Sequence, residues 1–172
     1  IGCGASPRYG ELDPGAMAEA VIDEALRNVV AVGGDPDRTA ILDNFSWGNC
    51  DKEDRMGALV LASKGCHRAA LAYGTPFVSG KDSLSNEYRE GGETRAIPPT
   101  LLVTALSIVP DVARCVTMDL KEAGNRVYLI GRTKAELGGS HYLGLAGLAG
   151  GTPPRPDLAE APKVLRGLHR AI

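Results

Sequence analysis

An α/β chain is predicted by three features of the sequence. A helical pattern of apolar residues runs between Asp13-Pro14 and Gly33-Gly34, a strand, helix and strand follow one another over residues 38–79, and a long apolar run at 100–109 is bounded by prolines. In the first, Asp13 is placed to cap and Pro14 to occupy the first helical position. Met17, Ala18, Val21, Ile22, Ala25, Leu26, Val29 and Val30 then recur at helical spacing, and the glycine pair stops the helix. On the wheel Glu24 and Asn28 fall together at one edge of the apolar stripe, whereas Glu19, Asp23 and Arg27 fall on the open polar side.

After the turn at Gly34-Asp35-Pro36-Asp37, a short buried strand is expected over 38–42, ending at Asp43-Asn44. A second, alanine-rich helix is expected over 53–73 and a second short strand over 75–79. This succession suggests a crossover unit with ligand-binding loops at the strand ends, so Asp43 and Gly80-Lys81-Asp82-Ser83 are both expected in such loops. Residues 86–96, with Gly91-Gly92, read as an exposed hairpin or loop. Strands are expected over 100–109 and 126–131, and a helix from about Pro162 to the end. A boundary falls near residues 110–116.

The composition excludes several classes. With 172 residues, 44% apolar, 23% charged and a formal net charge of -2, the chain resembles an ordinary globular protein. It carries no basic field for nucleic acid. No run is long and apolar enough to span a membrane and no signal peptide is visible, so a cytoplasmic location is expected. Cys3, Cys50, Cys66 and Cys115 lack metal-ligand spacing and are expected as reduced thiols. The chain opens on Ile1 without a methionine and is read as a piece of a longer protein.

G-T-P-F-V-S-G-K-D-S, residues 74–83, imitates a phosphate-binding P-loop but fails as one. Its glycines are separated by one residue too many, and Asp82 stands where a magnesium-binding hydroxyl belongs. Taken singly, the polar residues keep two readings each. Glu24 and Asn28, one turn apart, suit either a magnesium ion completed by water and phosphate oxygens or a solvated helix edge. Asp43 suits a ligand or a turn cap. Gly80 permits a close backbone approach, Lys81 offers a point charge for phosphate, and Ser83 offers a hydroxyl. Gly138-Gly139 suits a phosphate or a tight turn.

Several stretches in order, A-S-P-R-Y-G, D-E-A-L-R-N-V-V, A-I-L-D-N-F-S-W-G-N, G-T-P-F-V-S-G-K-D-S-L-S-N-E-Y and I-P-P-T-L-L-V-T-A-L, resemble the phosphoribosylformylglycinamidine synthase family over essentially the whole chain. That resemblance implies tandem halves like aminoimidazole ribonucleotide synthetase, each with an α/β N-terminal domain and an α+β C-terminal domain. Residues 1–112 would be most of the N-terminal domain of the second half, and 113–172 the start of the C-terminal one. The first half, with its catalytic histidine, and a later D-x-S-x-G-G-like motif lie outside the sequence, so no catalytic residue is assigned and the chain alone is not expected to be active.

The resemblance further implies ATP and Mg2+ as cofactors. Glu24 and Asn28 match magnesium ligands of an auxiliary nucleotide site, Asp43 and Gly80 match ATP positions, and Ser83 matches a substrate contact. Lys81 departs from the short form of the family, which has a metal-binding Asn there, and is assigned to ATP phosphate. The reaction implied is ATP activation of the amide oxygen of formylglycinamide ribonucleotide, then displacement of phosphate by ammonia from glutamine. The partners implied are the remaining synthetase half and a glutaminase module, with self-association of the chain expected and no nucleic acid or membrane. Two further readings stay open: a non-catalytic module that holds a nucleotide, and a sister enzyme such as selenophosphate synthetase, thiamine-monophosphate kinase or the hydrogenase-maturation dehydratase.

Overall fold

A computed structural model describes residues 1–172. Its elements are β1 (Gly2–Ala5), α1 (Pro7–Gly10), α2 (Pro14–Val30), β2 (Thr39–Ser46), α3 (Glu53–Tyr73), β3 (Phe77–Ser83), β4 (Glu87–Glu90), β5 (Glu93–Ala96), β6 (Thr100–Ser107), α4 (His141–Leu145) and α5 (Ala161–Ala171). Four strands form one sheet in the order β1-β6-β2-β3, in which β2 and β3 run parallel and the other pairs antiparallel. A separate hairpin, β4-β5, turns at Gly91-Gly92, whose φ values of 59° and 87° demand glycine.

The start of α2 follows the capping rule, since the Asp13 carboxylate accepts from the Ala16 amide at 2.9 Å and Pro14 follows. Gly74, at φ 71°, ends α3 in the left-handed conformation. Both helices lie against the same sheet face. Glycine lets α2 come close: a Cβ at Gly4 would sit 2.0 Å from the Val21 carbonyl oxygen, and one at Gly2 would sit 2.7 Å from that of Ala25. Met17, Ile22 and Leu26 of α2, Ile41 and Phe45 of β2 and Leu101 and Val103 of β6 make the core. No helix is long and apolar enough to cross a membrane.

Five expectations need correction. Gly80-Lys81-Asp82-Ser83 is no loop but the second half of β3, and Asp43 lies inside β2, not at its end. Parallel pairing of Leu42–Ser46 with Ser79–Ser83 takes up the backbone groups of these polar residues, so tertiary pairing overrides their poor strand propensity. Glu19 and Asp23 are buried, not on an open polar side. Their charges are met by Arg68 and Arg155 around Glu19, at 2.7 Å each, and by Arg27 and the Tyr73 hydroxyl around Asp23.

The expected strand at 126–131 is irregular: the backbone of Val127 to Ile130 has no hydrogen-bond partner, and Val127 and Leu129 are 83% and 86% exposed. A strand-forming sequence without a neighbouring strand has nothing to pair with. Lastly, residues 113–172 hold no strand, and Ala161 and Leu165 of α5 share the core of the first unit. The ion pair of Arg166 with Asp37, at 2.7 Å, holds α5 there.

Candidate functional site

Register decides which candidate residues meet. Asp43 is paired with Gly80, Asn44 with Lys81, Phe45 with Asp82 and Ser46 with Ser83. Because side chains alternate along a strand, neighbours in register share a face. Asp43, Gly80 and Asp82 therefore belong with Ile41 and Phe45 to the helix-covered face. Lys81 and Ser83 belong with Asn44 and Ser46 to the opposite face, which no helix covers.

On the helix side, Gly80 is required by Asp43. A Cβ there would lie 2.3 Å from Asp43 Oδ1, so the absent side chain makes room for a carboxylate of the same sheet. Burial pushes the Asp43 carboxyl above its ordinary range, and the charge of Asp82, with a hydrogen bond between the two groups, adds to the rise. The two carboxyl groups are close neighbours on the paired strands β2 and β3. Cys66 of α3 lies close enough for burial first, and Asp43 second, to push its thiol up to about 12. A thiol so placed is inert.

On the open side, Lys81 Nζ donates to Ser83 Oγ, giving an exposed ammonium and a hydroxyl on one strand. These groups can donate to an oxygen-rich ligand. One strand thus divides the candidate motif between two faces, and Asp43 and Lys81 do not converge on one point.

Glu24 and Asn28 lie elsewhere. Glu24 Oε2 accepts from the Ala5 amide at 2.9 Å, and Asn28 Nδ2 donates to the Cys3 carbonyl at 2.7 Å. Together they cap the outer edge of β1. Three strand spacings separate that edge from β3, about 14 Å. Each side chain still keeps an oxygen, Glu24 Oε1 and Asn28 Oδ1, held in place by the bond the other atom makes. No group of three His, Cys, Asp or Glu side chains gathers there or elsewhere to hold a metal. A magnesium ion on this pair would accordingly draw its remaining ligands from water and phosphate, which suits its chemistry.

Beside Glu24 opens a cleft of about 780 Å3 between α2 and the segment 131–164, with Arg27, Arg132, Lys134 and Arg155 on its walls. Asp23, Glu136, Asp157 and Glu160 share those walls, so the cleft is polar without a dominant sign. Tyr9, also at this cleft, has its hydroxyl pushed to higher pKa by burial and then by Glu24. Gly138 and Gly139 answer to packing: their Cβ atoms would sit 2.6 Å from the Thr152 carbonyl carbon and 2.7 Å from the Tyr9 ring. Two groups escaped sequence reasoning. Asp82 was visible only as a misfit in a P-loop, and Asn44 only as a strand-end residue; knowing that β3 includes both flanks of Lys81 would have placed each on its face.

Comparison with known proteins gives the following. The family described as AIR synthase related protein, N-terminal domain, matches residues 3–109. The PurL subunit of phosphoribosylformylglycinamidine synthase from Rhodopseudomonas palustris (strain TIE-1) is 39% identical over 96% of this chain and 22% of its own length. The same subunit from Anaeromyxobacter sp. (strain Fw109-5) is 37% identical over 100% of this chain and 22% of its own. The chain thus spans about a fifth of the length of the curated relatives it matches. Thermotoga maritima PurL superposes at a TM-score of 0.55 in its complex with ADP and 0.56 with AMPPCP, each at 25% identity over 67% of this chain and 18% of that one.

Proposed function

Because the chain belongs to the AIR synthase related family through its N-terminal domain, we propose that it is the corresponding part of the second half of an ATP-dependent carbon-nitrogen ligase of purine biosynthesis. The whole enzyme would convert formylglycinamide ribonucleotide, ATP and glutamine-derived ammonia to formylglycinamidine ribonucleotide, ADP and phosphate. Residues 1–112 serve as the nucleotide-facing α/β unit, onto whose core α5 of the following segment packs. The remaining synthetase half and a glutaminase module are its partners, and the cytoplasm is its compartment.

The observation that carries this reading is the parallel pairing of β2 with β3, which gathers Asp43, Gly80, Lys81 and Ser83 into adjacent strands. T. maritima PurL, similar in fold, is known with ADP and with AMPPCP. In this chain Lys81 meets the nucleotide phosphate and Ser83 the substrate from the open side, while Asp43, whose carboxylate fills the space at Gly80, supports the paired strands from the helix side. Such residues position reactants and offset developing charge; they are not proton-transfer bases.

Bound Mg2+ supplies neutralisation of phosphate charge, and Glu24 with Asn28 would hold it. One observation favours a second role for that pair. It stands at the far sheet edge from Lys81, beside its own cleft, as a nucleotide held for structural purposes would require.

Calorimetry with MgADP and MgATP on the whole chain tests the reading, using Glu24→Gln with Asn28→Ala and, separately, Lys81→Ala. Glu24→Gln keeps an acceptor for the Ala5 amide, and because Asn28→Ala removes the bond to the Cys3 carbonyl, a thermal melt of the double variant beside the titration separates lost metal from lost folding. Binding that falls with either variant supports the nucleotide reading and names the locus. No binding by the parent chain refutes it for this chain.

A further inference from the structure

Residues 131–157 lie across α2 as a strap with one secured end. That end runs into α5, whose Ala161 and Leu165 share the core and whose Arg166 pairs with Asp37 at 2.7 Å. The other end follows Val127 to Ile130, a stretch without backbone hydrogen bonds. Between them the strap bonds to itself: the Gly138 amide donates to the Thr152 carbonyl at 2.8 Å, the Arg155 amide to Glu136 at 3.3 Å, and Lys134 Nζ to the Arg155 carbonyl at 3.4 Å.

One side chain ties the strap to α2. Arg155 Nε stands 2.7 Å from Glu19 Oε2, and Nη2 stands 3.9 Å from the Asp13 carboxylate. No other ion pair or hydrogen bond joins residues 131–157 to residues 1–112. A contact of shape accompanies it, since the strap backbone at Gly139 rests on the Tyr9 ring, where a Cβ would sit 2.7 Å from a ring carbon.

Glu19 can lose this tie without being stranded. Its side chain is 3% exposed, and its second oxygen, Oε1, is held by Arg68 of α3 at 2.7 Å. A buried carboxylate stripped of both arginines would be strongly destabilising. With Arg68 in place, release of Arg155 leaves the charge paired and lets water take Oε2. Arg155 itself is 44% exposed, so its freed guanidinium is already half in water. A closed and an open strap thus differ by one ion pair, whereas α2, α3 and the core are common to both.

We propose that Arg155 is a latch, which holds residues 131–157 down over the cleft beside Glu24 and whose release from Glu19 lets them swing open about α5. Tyr9, Asp23 and Arg27 belong to the wall that stays, and Arg132, Lys134 and Pro154 to the wall that moves. The latch governs access to the cleft whatever the cleft binds, so it stands apart from the nucleotide reading.

Hydroxyl-radical footprinting read by mass spectrometry tests this on the whole chain. Tyr9 reports on the strap, and Met17, fully buried in the core, reports on the fold. Arg155→Gln removes the charge, Arg155→Lys keeps it, and Lys163→Gln, on α5 outside the strap, is the control. In Arg155→Gln the open population is expected to rise about tenfold, the shift that one hydrogen bond to a charged group supports. Tyr9 then labels faster than in the parent, Met17 labels as before, and Tm stays within about 3 °C. Arg155→Lys should bring Tyr9 back towards the parent rate, and Lys163→Gln should match the parent.

Unchanged labelling of Tyr9 in Arg155→Gln overturns the inference, because the strap then stays down without its latch. Faster labelling of Met17 together with Tyr9 also overturns it, because Arg155 would then hold the whole fold. So does an Arg155→Lys chain that labels like Arg155→Gln, since charge pairing with Glu19 would not be what closes the strap.

Discussion

Replacing Asp43 with Asn should make the protein more stable at neutral pH and less stable to nothing that the fold requires. Asp43 shares the β2/β3 edge with Asp82, and burial together with that neighbour raises its carboxyl above the ordinary range. The folded state therefore favours the protonated form. Stability tied to that proton is fully present below about pH 4, the usual value in an unfolded chain, and is lost as pH rises through the raised folded value. The cost of charging Asp43 beside Asp82 is therefore greatest at neutral pH and fades in acid. Like charges across neighbouring strands cost up to about 1 kcal/mol, and Asp82 is exposed enough for solvent to keep the figure there. For a chain of this length that corresponds to about 3 °C in Tm. Asn is isosteric with Asp, so the space above Gly80 remains adequate. Thermal melts of parent and variant from pH 7.5 down to 3.5 should show a gain that shrinks with acid. A variant that melts lower at pH 7.5, or a gain independent of pH, would refute the account of this pair.

Gly4→Ala should cost about 3 kcal/mol, because its Cβ would meet the Val21 carbonyl at 2.0 Å and force α2 away from β1; denaturant titration measures it. Cys66, with its thiol pushed up to about 12, should resist alkylation at pH 8 until the chain unfolds, while exposed Cys3 and Cys115 react; mass spectrometry after timed labelling distinguishes them. The chain should self-associate as concentration rises, through the unpaired, exposed Val127 to Ile130 segment, and Leu129→Lys should suppress it; a parent monomer by light scattering at high concentration would count against this.

The long helices were legible because their signals are local. Asp13-Pro14 begins α2, Gly74 ends α3, and the spacing of apolar residues from Met17 to Val30 needs only a helix to make sense of it. The hairpin at Gly91-Gly92 was legible for the same reason. Burial of Glu19 was not, because the arginines that neutralise it come from residues 68 and 155, far along the chain. The irregular course of 126–131 was not, because strand propensity says what a segment favours and not whether a partner strand exists. β1 also escaped, since its two core-facing residues are Gly2 and Gly4, which carry no apolar signal although they set the closest helix-to-sheet contact in the fold.

The candidate site shows a subtler limit. Reading Gly80-Lys81-Asp82-Ser83 as a loop treats four adjacent residues as one cradle. Pairing with β2 turns it into a strand, and alternation then sends Gly80 and Asp82 to one face and Lys81 and Ser83 to the other. The same alternation separates Asp43 from Asn44. The change reverses two roles: Gly80 admits the Asp43 carboxylate in place of a ligand, and Lys81 is removed from the carboxylates that would have neutralised it. An ammonium, a free carboxamide and two hydroxyls on a face without acidic groups are better suited to an anion than the sequence order suggested. Chemistry carried by a motif therefore depends on whether its backbone bonds are taken by a neighbouring strand, a property of the partner and not of the motif.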